Sequence, residues 1–260
     1  MPVFLRSLKY WVSHIPLISF IIMLVAVPVG CCEAWLWQNY VLHPADFPLF
    51  TALFSTTAAR IEFIVTMLKL LLSFFAVGSI LYALQLAPGG NLAKLAPSLG
   101  AGIRNWLAVA ALVVPIGILA WTPYIVQTIQ AGDLIGFSVF WGIAVTLYFL
   151  AKYPLALPLL ITENGNILVS MRKGARLSQG IRTEILLVIF IFILLAEAAG
   201  LVLDYLLLPG LTGIQGTMES AFINTFTYFV RWFFYSPLLS AVYTYYREQL
   251  ALYVRSYLLA

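Results

Sequence analysis

"NGNILVSMRKGARLSQGIRTEILLVIFIFILLAEAAGLVLDYLLL", residues 164–208, joins a cluster of cations to a long apolar run, and that junction decides the fold. Arg172, Lys173, Arg176 and Arg182 fall inside eleven positions, whereas residues 185–208 carry only Glu197 and Asp204 as charges. An apolar stretch of about twenty residues is what a helix needs to cross ~30 Å of hydrocarbon. The 260-residue chain repeats this composition, being 63% hydrophobic and only 9% charged, with a mean hydropathy of +0.99. Soluble domains carry roughly 25% charged residues, so an ordinary soluble fold is excluded.

Outward from this junction, apolar runs predict six transmembrane helices at about 11–37, 61–86, 105–130, 134–161, 184–208 and 221–246. The expected fold class is all-α and polytopic, with residues 1–260 as one integral membrane domain. Arg6, Lys9, Lys94, Arg104, Lys152, Arg172, Lys173, Arg176, Arg182, Arg247 and Arg255 flank the spans on one side, and Arg60 alone falls on the other. Cations beside spans stay cytoplasmic, which predicts that both termini face the cytoplasm. Net charge is +4. Because the cations lie beside apolar spans, an anionic membrane surface is the expected partner, rather than nucleic acid. Arg6 and Lys9 before an apolar stretch ending "VPVGC" resemble a cleavable leader, but Pro28 and the length of the run favour an uncleaved first span. Trp11 and Trp106 at inner ends and Trp35 and Trp37 at an outer end fit interfacial anchors.

The basic segment itself has helical periodicity. Leu168, Met171 and Ala175 fall on one face, and Arg172, Lys173 and Arg176 on another. Asn164 or Asn166 is placed to cap its start and Gly180 to end it. The expectation is a short helix lying on the cytoplasmic leaflet, with a plain charged loop as the alternative. The last span continues as a helix carrying Tyr246, Leu250, Tyr253 and Tyr257 in one stripe, and the connector 38–60, with "HPADFP", reads as irregular or re-entrant. Gly102-Ile103-Arg104 and Gly180-Ile181-Arg182 both precede apolar runs, suggesting hairpins that each begin with a surface helix.

Glu33, Glu62, Lys69, Glu197, Asp204 and Arg231 lie within or at the edges of spans. A central Arg, Lys or Asp costs about 2.5–3.5 kcal/mol, and such charges must face protein or water. At 1.5 Å per residue, Glu197 and Arg231 both lie about 15 Å below the outer ends of their spans, which predicts an ion pair. Lys69 is placed to snorkel toward Glu33, Glu62 and Asp204. Two readings stand: the charges fix helix packing, or Glu197, Arg231, Asp204 and Lys69 line an ion, proton or headgroup path. Prolines 16, 28, 115, 123, 154, 158 and 237 interrupt four spans, and "AEAAG" (196–200) offers a small-residue contact. No hydrolase, nucleotide-binding or metal-ligand motif is present. His14 and His43 are expected on opposite sides, and Cys31-Cys32 has no metal spacing. No enzyme activity, cofactor or metal is expected.

The run "LALPLLITENGNILVSMRKGARLSQG" (155–180) before a long span resembles the YciC family of bacterial inner-membrane proteins. It is also similar to the membrane domain fused to some glycerophosphodiester phosphodiesterases. Ser170-Met171-Arg172, Arg176-Leu177 and the close "AVYTYYRE" (241–248) carry the likeness. The mid-span Arg231 and the acids of the fifth span depart from it. The resemblance implies an inner-membrane protein without transferable catalytic residues. The expected function is a non-enzymatic, lipid-interacting or membrane-homeostasis subunit, as a homo-oligomer or beside another membrane protein; the alternative is a transporter or channel.

Overall fold

Where Pro154 stands, the fourth apolar run breaks. A proline inside a helix offers no N–H and collides with the carbonyl four residues back, and in the computed structural model the helix stops at Lys152. The structure describes residues 2–42, 57–86, 92–130, 135–163, 166–211 and 217–258. Among these residues it is all-helical. The helices are α1 (Pro2–Leu42), α2 (Thr57–Gln85), a 3-10 turn (Leu92–Lys94), α3 (Leu95–Gln130), α4 (Ile135–Lys152), α5 (Ala156–Thr162), α6 (Ile167–Leu177), α7 (Arg182–Leu211) and α8 (Met218–Leu258).

Four stretches are long and apolar enough to cross a membrane: Val3–Asn39, Phe63–Gln85, Leu95–Ala120 and Arg182–Leu207. The pair Phe140–Lys152 and Ala156–Thr162, bent by 53°, makes up to five. The expected single span 134–161 is therefore two helices. The expected sixth span lies within α8, which is long enough but less apolar than the others. Its interior carries Asn224, Thr225, Thr227, Tyr228, Arg231, Tyr235 and Ser236 among its aromatics. The bundle exterior is strongly apolar: on α7, Leu187, Phe190, Leu194, Leu195, Leu201, Val202 and Leu206 are all exposed. Soluble proteins rarely leave contiguous patches of this kind in water; hydrocarbon is the surrounding that suits them.

Helices α1, α2, α3, α4, α7 and α8 each touch the next, and α8 returns to α1, closing a ring. α1 and α8 run antiparallel along one seam. Ser240 Oγ donates to Ser7 O at 2.9 Å, and Trp11 Nε1 donates to Ser236 Oγ at 2.7 Å. At the far end of the seam, a Cβ on Gly30 would come within 2.7 Å of Ala221 O and Thr225 N. Trp11, half-buried, also packs its ring edge-on against Phe233 at this seam. Trp35, by contrast, is exposed.

The short α5 fills the ring at one end. Leu155, Ala156, Leu159, Leu160 and Ile161 are each no more than 1% exposed. α6 lies across it, with its backbone against the start of α5: a Cβ on Gly174 would sit 2.7 Å from Ala156 N. Asn166 caps α6 by accepting from Leu168 N at 3.0 Å, and Gly180 leaves the helical path at φ +87°. That left-handed conformation is cheap only for glycine. The packed face of α6 is Ser170 and Gly174, flanked by Ile167 and Met171, so the inward stripe is rotated from the one expected. Leu168 points outward at 63% exposure, because only a glycine admits the α5 backbone.

The two Gly-Ile-Arg segments adopt different structures. Gly180 lies in a turn, but Gly102 lies inside the continuous α3, where it meets Gly78 of α2 in a close crossing. Among the described residues no separate surface helix precedes this span; the 3-10 turn leads directly into α3. Residues 43–56, with His43 and the "HPADFP" connector, lie outside the described residues, as does Asn164.

Gly174→Ala places a methyl against backbone that has little room to move, and overpacking of this kind costs about 1–3 kcal/mol. Purified protein in detergent is expected to show a lower Tm, whereas Gly100→Ala, whose Cβ meets nothing within 4 Å, is expected to leave Tm unchanged or raised.

Candidate functional site

Three of the expensive charges, Glu33, Lys69 and Arg231, line one cavity. It has a volume of about 630 Å³ and lies between α1, α2, α7 and α8. α1 supplies Glu33, α2 supplies Lys69 and Val77, and α7 supplies Leu207. α8 provides the longest wall, from Asn224 to Leu239. Sixteen residues of helix, with fifteen rises between them, make that wall about 22 Å long. Its polarity is graded: Asn224, Thr227, Tyr228 and Arg231 come first, then Trp232 and Tyr235, then Leu238 and Leu239.

At the polar end, Lys69 Nζ pairs with Glu33 Oε2 at 3.1 Å, joining α2 to α1. The same turn of α2 is held to α8. Ser73 Oγ lies 3.0 Å from Tyr228 Oη and itself donates to Lys69 O at 2.6 Å. Tyr228 Oη also reaches Lys69 O at 3.3 Å. The ion pair is therefore set in a frame of hydroxyl bonds that fixes the height of Lys69 against α8.

Further along α8, on the bundle's exposed side, Tyr235 Oη donates to Glu197 Oε1, joining α8 to α7. Arg231 lies one turn further along α7, over Gly200, where a Cβ would stand 3.1 Å from its Nε. Glycine at position 200 is what allows the guanidinium stem to rest on the α7 backbone. The small residues of "AEAAG" thus receive a side chain, with Ala196 buried beside them. Glu197 and Arg231 come to neighbouring turns on facing helices, and Glu197 accepts a hydrogen bond from Tyr235. The side chains of Asp204 and Glu62 lie outside the described residues.

Tyr228, Trp232, Tyr235, Asn224 and Thr227 are cavity residues that the charge-based reading passed over. A signal existed: residues 224, 228, 231, 235 and 238 follow i, i+4, i+7, i+11 and i+14, one helical face. Tracking hydroxyl and amide groups along the last apolar run, and not only formal charges, exposes that face.

The basic residues gather at the opposite end. Thr162 Oγ1 donates to Tyr246 Oη at 3.0 Å, fixing the end of α5 beside the basic end of α8. Lys173 Nζ donates to Glu163 Oε2 at 2.7 Å, and that hydrogen bond raises the pKa of Lys173. Its contribution is present at neutral pH and is lost only as pH rises through the raised value. Arg182 Nη2 donates to Ala175 O at 3.2 Å, satisfying a carbonyl at the end of α6. Arg172 and Arg176 are exposed, and neither forms an ion pair among the described residues. They share the outer face of α6 with exposed Leu168 and Val169. The four cations thus divide into two that hold local structure and two that face outward.

No family profile, curated protein or solved structure matches this chain.

Residues in direct contact within one polar network couple by about 0.5–3 kcal/mol. Glu33→Gln and Lys69→Met are each expected to destabilise the protein, and the double variant is expected to cost less than the two together. Unfolding of all four proteins in mixed micelles measures the coupling; strict additivity would remove the ion pair as a structural element.

Proposed function

We propose that this chain is a non-enzymatic protein of the bacterial inner membrane that holds an amphiphile in its central cavity. In this reading it crosses the bilayer six times with both termini cytoplasmic, and α8 is the sixth span. The graded wall of the cavity carries the proposal. A polar head would sit among Asn224, Tyr228, Arg231 and the Glu33–Lys69 pair, and an apolar tail would run toward Leu238 and Leu239. Pockets for such ligands combine a mainly apolar lining with a few placed polar groups. The charge asymmetry of the connectors supports the orientation, and the long apolar helices with their apolar exterior support the membrane. On this topology the head faces the outer leaflet, while Arg172 and Arg176, with Lys173 and Arg182 behind them, meet anionic lipid on the inner one.

The lower apolarity of α8 is consistent with this role, since its polar side chains face the cavity and its bundle neighbours. Glu197 is exposed at the height of Tyr235, a place where a second copy or another membrane protein would spare it contact with hydrocarbon. A second reading, transport of lipids, protons or small ions, is favoured by one observation: Glu197, Tyr235, Arg231 and Lys69 succeed one another from mid-bundle to the polar end of the cavity. Asp204 lies on the same helix.

Native mass spectrometry of the purified protein is expected to show one retained amphiphile per chain, largely lost in Arg231→Ala and in Lys69→Met/Glu33→Gln. A wild-type protein that retains none after mild extraction would overturn the binding role. For the topology, tags at either end are expected to resist an impermeant reagent in intact cells.

A further inference from the structure

A second cleft, of about 550 Å³, lies at the basic end, between the first turns of α1 and the last third of α8. It is lined by Arg6, Lys9, Tyr10, Ser13, Thr244, Arg247, Glu248 and Ala251. Three cations and one anion face it. Glu248 is already engaged by Arg6 at 3.0 Å, a bridge that also clamps the two helix ends together. Lys9 and Arg247 therefore carry the remaining charge, and neither has an ion-pair partner among the described residues.

Arg247 is held in position. Its guanidinium carbon sits over the Tyr10 ring, 5.8 Å from the centroid. Tyr10 is in turn fixed by donating to Leu84 O and by stacking on Tyr243 at 6.2 Å. A guanidinium carries five N–H donors, so one that rests against a tyrosine keeps others for an oxyanion while the ring restricts its rotamers. Lys9 lies across the cleft on α1. Its helix neighbours at i−4 and i+3, Leu5 and Val12, are exposed apolar side chains, at 59% and 53%. The cleft thus sits where a cationic rim meets an apolar exterior.

We infer that this cleft binds a phosphate group between Lys9 and Arg247, and that its source is the headgroup of an anionic phospholipid whose chains lie against Leu5 and Val12. Arginine and lysine together suit a phosphate, one by a planar fork and one as a point charge. The exposed apolar stripe beside Lys9 favours a lipid over a soluble phosphate ester. This site is separate from the central cavity and shares no lining residue with it, so the two proposals fail independently.

The test uses the full chain in nanodiscs of phosphatidylcholine, titrated with phosphatidylglycerol and read by native mass spectrometry. Lys9→Gln/Arg247→Gln is expected to weaken binding at this site by at least about tenfold, since each lost charge-assisted bond is worth roughly that factor. Arg172→Gln/Arg176→Gln is the comparison and is expected to leave this site occupied. Glycerol 3-phosphate and inorganic phosphate are then added as competitors. Failure to displace the lipid at millimolar concentration supports the membrane source; complete displacement keeps the phosphate site but assigns it to a soluble ester. A Lys9→Gln/Arg247→Gln protein with wild-type Tm and undiminished phosphatidylglycerol binding would overturn the inference.

Discussion

Charge has almost no place to go inside hydrocarbon, and the arrangement of this bundle follows from finding places for it. Lys69 lies against Glu33, Glu197 against a tyrosine hydroxyl, and Arg231 over a glycine that clears room for its stem. Each of these contacts joins two helices. The cost of leaving any one group unsatisfied in lipid would be several kcal/mol, so the same contacts that neutralise charge also select which helices are neighbours and at what height.

The antiparallel seam of α1 and α8 supplies the frame. Serine hydroxyls and an indole N–H bond across it, and Gly30 brings the backbones together at its far end. Between lipid-facing helices there is no hydrophobic drive to associate, so close packing and interhelical hydrogen bonds carry the assembly. The seam has both. With α1 and α8 locked, α2 and α7 stand on either side of α8, and the space left between them is the charged cavity.

Proline shapes the opposite end. The break at Pro154 turns what would be one long helix into a bent pair, and the buried α5 then closes the ring from within. Its backbone accepts α6 only because residue 174 is glycine. The outward face of α6 is left with its cations and two apolar side chains, and the ends of α1 and α8 add Arg6, Lys9 and Arg247 nearby. A polar, positively charged end and a cavity that opens its polar groups toward the other end give the molecule two chemically distinct poles.

Much of this was written in the order of residues. The apolar helical class, a cap at Asn164 or Asn166 and the turn at Gly180 depend on local composition and backbone preference and are legible in a single chain, whereas the expected count of six spans exceeds the four, or up to five, that the structure shows as long and apolar enough. What a linear reading misses is rotation. The inward stripe of α6 differs from the one periodicity predicts because Gly174 carries no apolar signal yet makes the closest contact, and the hydroxyls of Tyr228 and Tyr235 become meaningful only beside Lys69 and Glu197. Which face of a helix turns toward which neighbour is decided by steric fit across elements far apart in sequence, and that fit exists only once the helices have met.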